Sequence, residues 1–226
     1  MFFNVDPNDG KLIYIAEQSL ECVNCFKFLG LNIDYCINFK EHTDLTIVKL
    51  KSSLATLSHM KHLISKDCLL MVYYCLFQSI FEFSCEIYGH RQKTTSNRIT
   101  QVQKKAMRII FGPNAYIDLE MAKNNIVDFD TIVFRKSCIF MFNAYHSTLP
   151  PRLNCLFVKN RDVNSRHSKY LFNFKLQRPN TNTLATCLSI IGPKLWNNLP
   201  SAIKEAKTLS MFKRNLKRHN HLQMLH

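Results

Sequence analysis

The stretch CLLMVYYCLFQSIF, residues 68–81, is the most apolar part of the chain, and its reading decides the fold class. Crossing a bilayer takes about 20 predominantly apolar residues. This run is shorter and is followed by Glu82 and Glu86, so it reads as a helix buried on most of its sides. Ser65 stands where an N-cap belongs, and Asp67 where the first turn favours an acid. No membrane span is expected.

Working outward, the helical period continues on both sides. Upstream, Ile47, Leu50, Leu54 and Leu57 fall on one face of a 3.6-residue helix. Downstream, Ile99, Val102, Ala106 and Ile109 make a stripe over residues 98–111, and Gly112-Pro113 stops that helix. A further helix is expected over 129–147, ended by Pro150-Pro151, and a last one over 208–219 with Leu209, Phe212 and Leu216 on one face. Residues 152–200 lack a clear period and read as irregular and mostly extended. At the other end, residues 11–16 (KLIYIA) and 25–34 (CFKFLGLNID) are rich in aromatic and β-branched residues and read as strands. Gly30 inside the second run predicts a bulge or another backbone approaching closely. The expectation is a mainly α protein with a small N-terminal β element (α+β). Its parts are a β element over 1–40, a helical domain over 41–150 and a basic region over 151–226.

Composition narrows the function. The chain has 226 residues, 46% hydrophobic and only 20% charged, with 17 Phe and 8 Tyr. That content can fill a core and excludes wholesale disorder. Lys plus Arg number 30 against 16 Asp plus Glu, a net charge of +14. The surplus is uneven: residues 152–226 hold 14 basic side chains against only Asp162 and Glu205. Such an imbalance points to a polyanionic partner, with solubility as the bland alternative. Neither a GxGxxG nor a GxxxxGK[ST] phosphate loop occurs. The nine cysteines and the absence of a secretory signal at residues 1–6 point to a reducing, intracellular compartment. Cys22-x-x-Cys25 is half of a zinc motif, but no second pair follows at ligand spacing. No metal site and no catalytic residue is expected in this chain.

A set of motifs in fixed order carries a resemblance. They are Cys25-Phe26-Lys27-Phe28-Leu29-Gly30-Leu31-Asn32-Ile33-Asp34, Lys40-Glu41-His42, Tyr73-Tyr74-Cys75-Leu76 and Tyr88-Gly89. Next come Ile99-x-x-Val102-Gln103-Lys104-Lys105-Ala106-Met107-Arg108-Ile109-Ile110 and Gly192-Pro193-Lys194-Leu195-Trp196-Asn197-Asn198-Leu199-Pro200. Phe212-Lys213-Arg214-Asn215-Leu216-Lys217 closes the series. Together they cover nearly the whole chain from about residue 11, and they resemble the C-terminal part of the reverse transcriptases of non-LTR (LINE-type, jockey-like) retrotransposons.

The resemblance implies a palm-edge, primer-grip-like hairpin at Phe28, Leu29 and Gly30, and a helical thumb closing over a template–primer duplex. It implies nucleic-acid contact at Lys104, Lys105, Arg108, Lys213, Arg214, Lys217 and Arg218, weakly sequence-specific. Polymerase chemistry needs carboxylates holding two divalent ions, which the family takes from an Asp-Asp strand. The chain contains no Asp-Asp pair; Asp128-Phe129-Asp130 comes nearest, at an expected helix start. Magnesium would therefore belong to a palm outside this chain, supplied if at all by a palm-containing chain. This chain alone is not expected to synthesise DNA.

Each reading has a plainer rival. Lys104, Lys105 and Arg108 could form a merely solvated helix face, and the basic cluster at 213–218 could be a nuclear-import signal. Trp196 could stack on a base, or anchor a core between its flanking prolines. The alternative to a polymerase fragment is a non-catalytic helical interaction protein captured by a host, or a translated relic.

Overall fold

The computed structural model describes residues 13–15, 18–20, 23–163 and 172–223. The strands are β1 (Ile13–Ile15), β2 (Gln18–Leu20), β3 (Cys25–Phe28) and β4 (Leu31–Asp34). The helices that follow are α1 (Lys40–Met60), α2 (Lys66–Tyr73), a π turn (Tyr74–Gln78), α3 (Ser79–Glu82), α4 (Cys85–Tyr88), α5 (Lys93–Phe111) and α6 (Ile117–Lys123). Then come α7 (Phe129–Tyr145), α8 (Pro151–Asn154), α9 (Asn160–Val163), α10 (Asn182–Ala185), α11 (Leu188–Asn198), α12 (Ser201–Lys204) and α13 (Leu209–Gln223). The protein is mainly α with a small N-terminal β element, as the sequence predicts. It forms two compact units: one from the residues up to 84 with 91–129, the other from 85–90 with 130 onward.

In the first unit, residues 25–34 are not one bulged strand. β3 and β4 pair antiparallel with Phe28 opposite Leu31, leaving Leu29 and Gly30 as a two-residue turn. Both have positive φ, 46° and 88°, the backbone signature of the tight turn that matches strand twist. What approaches Gly30 is a side chain and not another backbone: a Cβ there would lie 3.1 Å from the Phe83 ring. Beyond the hairpin, Asp34 Oδ1 accepts from the Asn38 N–H at 2.9 Å and Asn38 Oδ1 from the Lys40 N–H at 2.8 Å. These bonds turn the chain into α1, which buries Ile47, Leu50 and Leu57.

Ser65 caps α2 as predicted, accepting the Cys68 N–H at 3.3 Å. The apolar run itself differs from expectation: it buries one face, not most sides. Leu69, Tyr73, Phe77 and Phe81 point inward, whereas Met71, Tyr74 and Leu76 are exposed. The inward rings form a ladder, Tyr73 on Phe77 at 5.3 Å, Phe77 on Phe81 at 5.9 Å and Phe81 on Phe129 at 5.7 Å. Aromatic pairs of this kind add about 0.5–1.5 kcal/mol beyond burial. The π turn widens the helix inside this ladder, and the Ser53 hydroxyl of α1 donates to the Leu76 carbonyl there at 2.8 Å.

The second unit is built on Trp196, which is fully buried. Its indole lies 5.4 Å from Tyr145 and 5.7 Å from Phe212, both stacked, and 6.0 Å from Phe174 edge-on. Its N–H donates to the Phe172 carbonyl at 2.7 Å. The tryptophan is thus a core anchor and cannot stack on a base. Residues 188–198, read from sequence as extended, form α11 instead. Pro193 costs a backbone N–H inside that helix, but packing of Ile190 and Trp196 overrides local propensity. Gly192 lies against Met141, whose Sδ would be 2.5 Å from an added Cβ. α13 closes this core with Phe212 and Leu216.

Candidate nucleic-acid interface

α5 is the helix whose composition stands out. It carries Lys93, Arg98, Lys104, Lys105 and Arg108 and no carboxylate. One face is apolar and buried, with Ile99, Val102, Ala106, Met107 and Ile110. The opposite, exposed face carries Thr94, Asn97, Arg98, Gln101, Lys105 and Arg108, each with a neighbour three or four residues away, which keeps amides and cations on one face. Gln103 fixes the helix from within. Fully buried, its amide donates to the Tyr73 hydroxyl at 2.9 Å and to the Val127 carbonyl at 2.8 Å. Burial raises the Tyr73 phenol well above its ordinary range, the Gln103 bond opposing.

The three cations expected on this helix are not equivalent. Lys104 is paired with Asp118 at 2.9 Å. Lys105 and Arg108 are exposed and form no ion pair with the described residues. Arg98, in the same row, is held by Asp44 at 2.7 Å.

Arg108 stands at the junction of two clefts. The first, of about 340 Å³, is lined by Lys61, His62, Lys66, Arg108 and Phe111 among others. The Lys66 ammonium rests 4.5 Å above the Phe111 ring and 4.0 Å from Glu120. The second, of about 510 Å³, is lined by Lys104, Arg108, Pro113, Ala115, Tyr116 and Leu119, with Asp118 on its wall. Gly112, at φ 102° with open space around it, makes the sharp exit from α5 that separates them. Sequence reasoning missed Lys61, His62, Lys66 and Tyr116. They lie far from α5 or beyond its stop signal, and no local pattern joins them to it.

The other predicted residues fall in two further places. Phe28, Leu29 and Gly30 form the tip of the β3-β4 hairpin, with the Leu29 side chain 80% exposed. Lys213, Arg214, Lys217 and Arg218 are all exposed on α13, opposite the buried Phe212 and Leu216. The basic character of the C-terminal region is not all at its surface, however. Lys204 is buried, donating to Asn173 Oδ1 at 2.9 Å and the Asn197 carbonyl at 2.7 Å. Lys159 is buried too and donates to the Ser147 hydroxyl at 2.6 Å. Burial lowers both ammonium pKa values.

Hydrolytic chemistry finds no support. His90 Nε2 and Ser137 Oγ lie 2.8 Å apart, but Ser137 is sealed from solvent, so its hydroxyl cannot meet a substrate. Among the described residues no group of three or more His, Cys, Asp or Glu is placed to hold a metal ion. Cys22 of the half-motif lies outside the described residues. Asp130 sits in the first turn of α7, where an acid favours the helix dipole. No helix among the described residues is long and apolar enough to cross a membrane. The chain matches no protein-family model, no curated protein and no solved structure.

Proposed function

We propose that this chain binds nucleic acid through the exposed row of α5, in the manner of the thumb of the LINE-type reverse transcriptases that its ordered motifs resemble. The observation that carries the reading is α5 itself: five cations, no carboxylate and a continuous exposed row of amide and cationic side chains. Such a row suits phosphate oxygens, which take hydrogen bonds from Arg, Lys, Asn and Gln and carry no sequence information. The α13 cations add a second, less shaped source of attraction. Synthesis is assigned no residue in this chain, and magnesium no ligand.

The test is a titration of the full chain against a short RNA–DNA duplex by fluorescence anisotropy. Affinity is expected to fall at least tenfold between about 50 and 200 mM salt, because bound cations release counterions. Replacing Lys105 and Arg108 by Glu is expected to reduce the slope of log affinity against log salt by about two. An affinity that ignores salt would sink the proposal.

A further inference from the structure

The two clefts at the C-terminal end of α5 share Arg108 and Pro113, and one adds a cluster of cations where the other adds an exposed aromatic ring. The first is cationic: Lys61, Lys66 and Arg108 line it together with His62. The second sets Pro113, Ala115, Leu119 and Tyr116, a residue 82% exposed, beside Lys104, Arg108 and Asp118. Asp118 holds Lys104 at 2.9 Å, which leaves Arg108 as that cleft's one cation outside an ion pair with the described residues. The negative end of α5, worth about half a charge, is outnumbered by the cations around it. Both volumes fall within the range of about 300–1,000 Å³ that small-ligand clefts occupy.

We infer that the paired clefts take the unpaired end of a nucleic-acid strand, a backbone phosphate lying among Lys61, Lys66 and Arg108 and the adjoining base stacking on Tyr116. The inference rests on the nucleic-acid reading of α5 and narrows it. A base inside a duplex is stacked and paired and cannot enter a side cleft, whereas an unpaired base can be splayed onto an aromatic ring. Arg108 belongs to both clefts and to the exposed row, so a duplex lying along α5 would deliver its single-stranded continuation there. Asp118 works against the ligand, as it repels phosphate and ties up Lys104.

Three probes of equal duplex length separate the outcomes: a blunt duplex, the same duplex with a single-stranded overhang, and the overhang strand alone. All are titrated against the full chain at one salt concentration. The overhang duplex is expected to bind about tenfold more tightly than the blunt one. Tyr116→Ala is expected to abolish that preference while leaving blunt-duplex affinity unchanged, and Tyr116→Phe to retain it. Asp118→Asn is expected to tighten overhang binding. Tyr116 is exposed, so neither of its variants threatens the fold. Equal affinity for blunt and overhang duplexes, or a Tyr116→Ala loss shared by both, overturns this inference and leaves the binding role of α5 standing. No binding to any of the three overturns both.

Discussion

α5 and α13 are both cationic helices with an apolar underside, yet they use their charge differently. In α5 two of five cations are engaged by carboxylates, Arg98 by Asp44 and Lys104 by Asp118, and the exposed end opens onto shaped clefts. In α13 Lys213, Arg214, Lys217 and Arg218 are all exposed, and none of them lines either of the two clefts described. Exposed, unshaped cations attract any polyanion and are screened by salt. Cations beside an aromatic ring and a cleft can discriminate. Charge density alone, highest in the last third of the sequence, is therefore a poor guide to where cations line a cleft.

The largest effects should come from breaking the support under each helix. Trp196→Ala removes the centre of the α13 core and leaves the Phe172 carbonyl without its donor. A loss of about 3–5 kcal/mol is expected in urea unfolding followed by near-ultraviolet circular dichroism. Phe77→Ala in the ladder of the first unit should cost a similar amount by the same measurement. If either variant unfolds at the wild-type urea concentration, that core has been misjudged. Gly89→Ala should cost about 1–3 kcal/mol, since its methyl would meet Val133 Cγ2 at 2.5 Å and the Cys85 carbonyl at 2.6 Å.

Binding sharpens the comparison next. Lys213→Glu with Lys217→Glu should weaken all three nucleic-acid probes alike, and their effect should shrink as salt rises. Lys61→Ala should weaken the overhang probe more than the blunt duplex. If the α13 pair alters overhang preference instead, the shaped site is in the wrong place.

The smallest expected effect is on pH. His42 in the first unit and His90 in the second both have pKa values lowered from 6.5, chiefly by burial; Lys49 adds to the effect at His42, and Asp130 opposes it at His90. A lowered folded pKa means the unfolded chain binds more protons between the two values, so stability rises with pH there. Stability should be complete above about pH 7 and decline as pH falls through 6.5 toward the folded values. His42→Gln should flatten that decline, as read by thermal unfolding at a series of pH values.

The helices were legible where one periodicity met one stop signal. The α5 stripe with Gly112-Pro113, and Ser65 before the apolar run, needed no tertiary information. α11 was not legible, because Gly192 and Pro193 argue locally against a helix and only the burial of Trp196 outweighs them. The hairpin turn at Leu29-Gly30 was implied by the resemblance and not by local turn chemistry: Leu29 is a poor residue for a positive φ, so no Asn-Gly signal marked it. Lys105 and Arg108 could be proposed from spacing on one helix. Lys61, Lys66 and Tyr116 could not, since only the packing of α1, α2 and α6 around α5 brings them together. Nor could sequence show that Lys159 and Lys204 are internal, because a buried lysine with oxygen partners looks like any other lysine in a basic stretch.

The π turn at Tyr74–Gln78 bears on how this chain tolerates change in length. A wide turn holds one residue more than an α turn, and such bulges are equivalent to a single insertion accommodated inside a helix. Here it offsets the rotational drift of a strict four-residue spacing, so that Tyr73, Phe77 and Phe81 remain on one side. Deleting one residue between Tyr73 and Phe77 would restore an ordinary helix and put the three rings at i, i+3 and i+7, still on one face. Phe81 would stay on the ladder side, while the carbonyl that the Ser53 hydroxyl now serves would return to the helix's own hydrogen bonding. A one-residue deletion should therefore be better tolerated at 74–76 than within the unbroken helix α1.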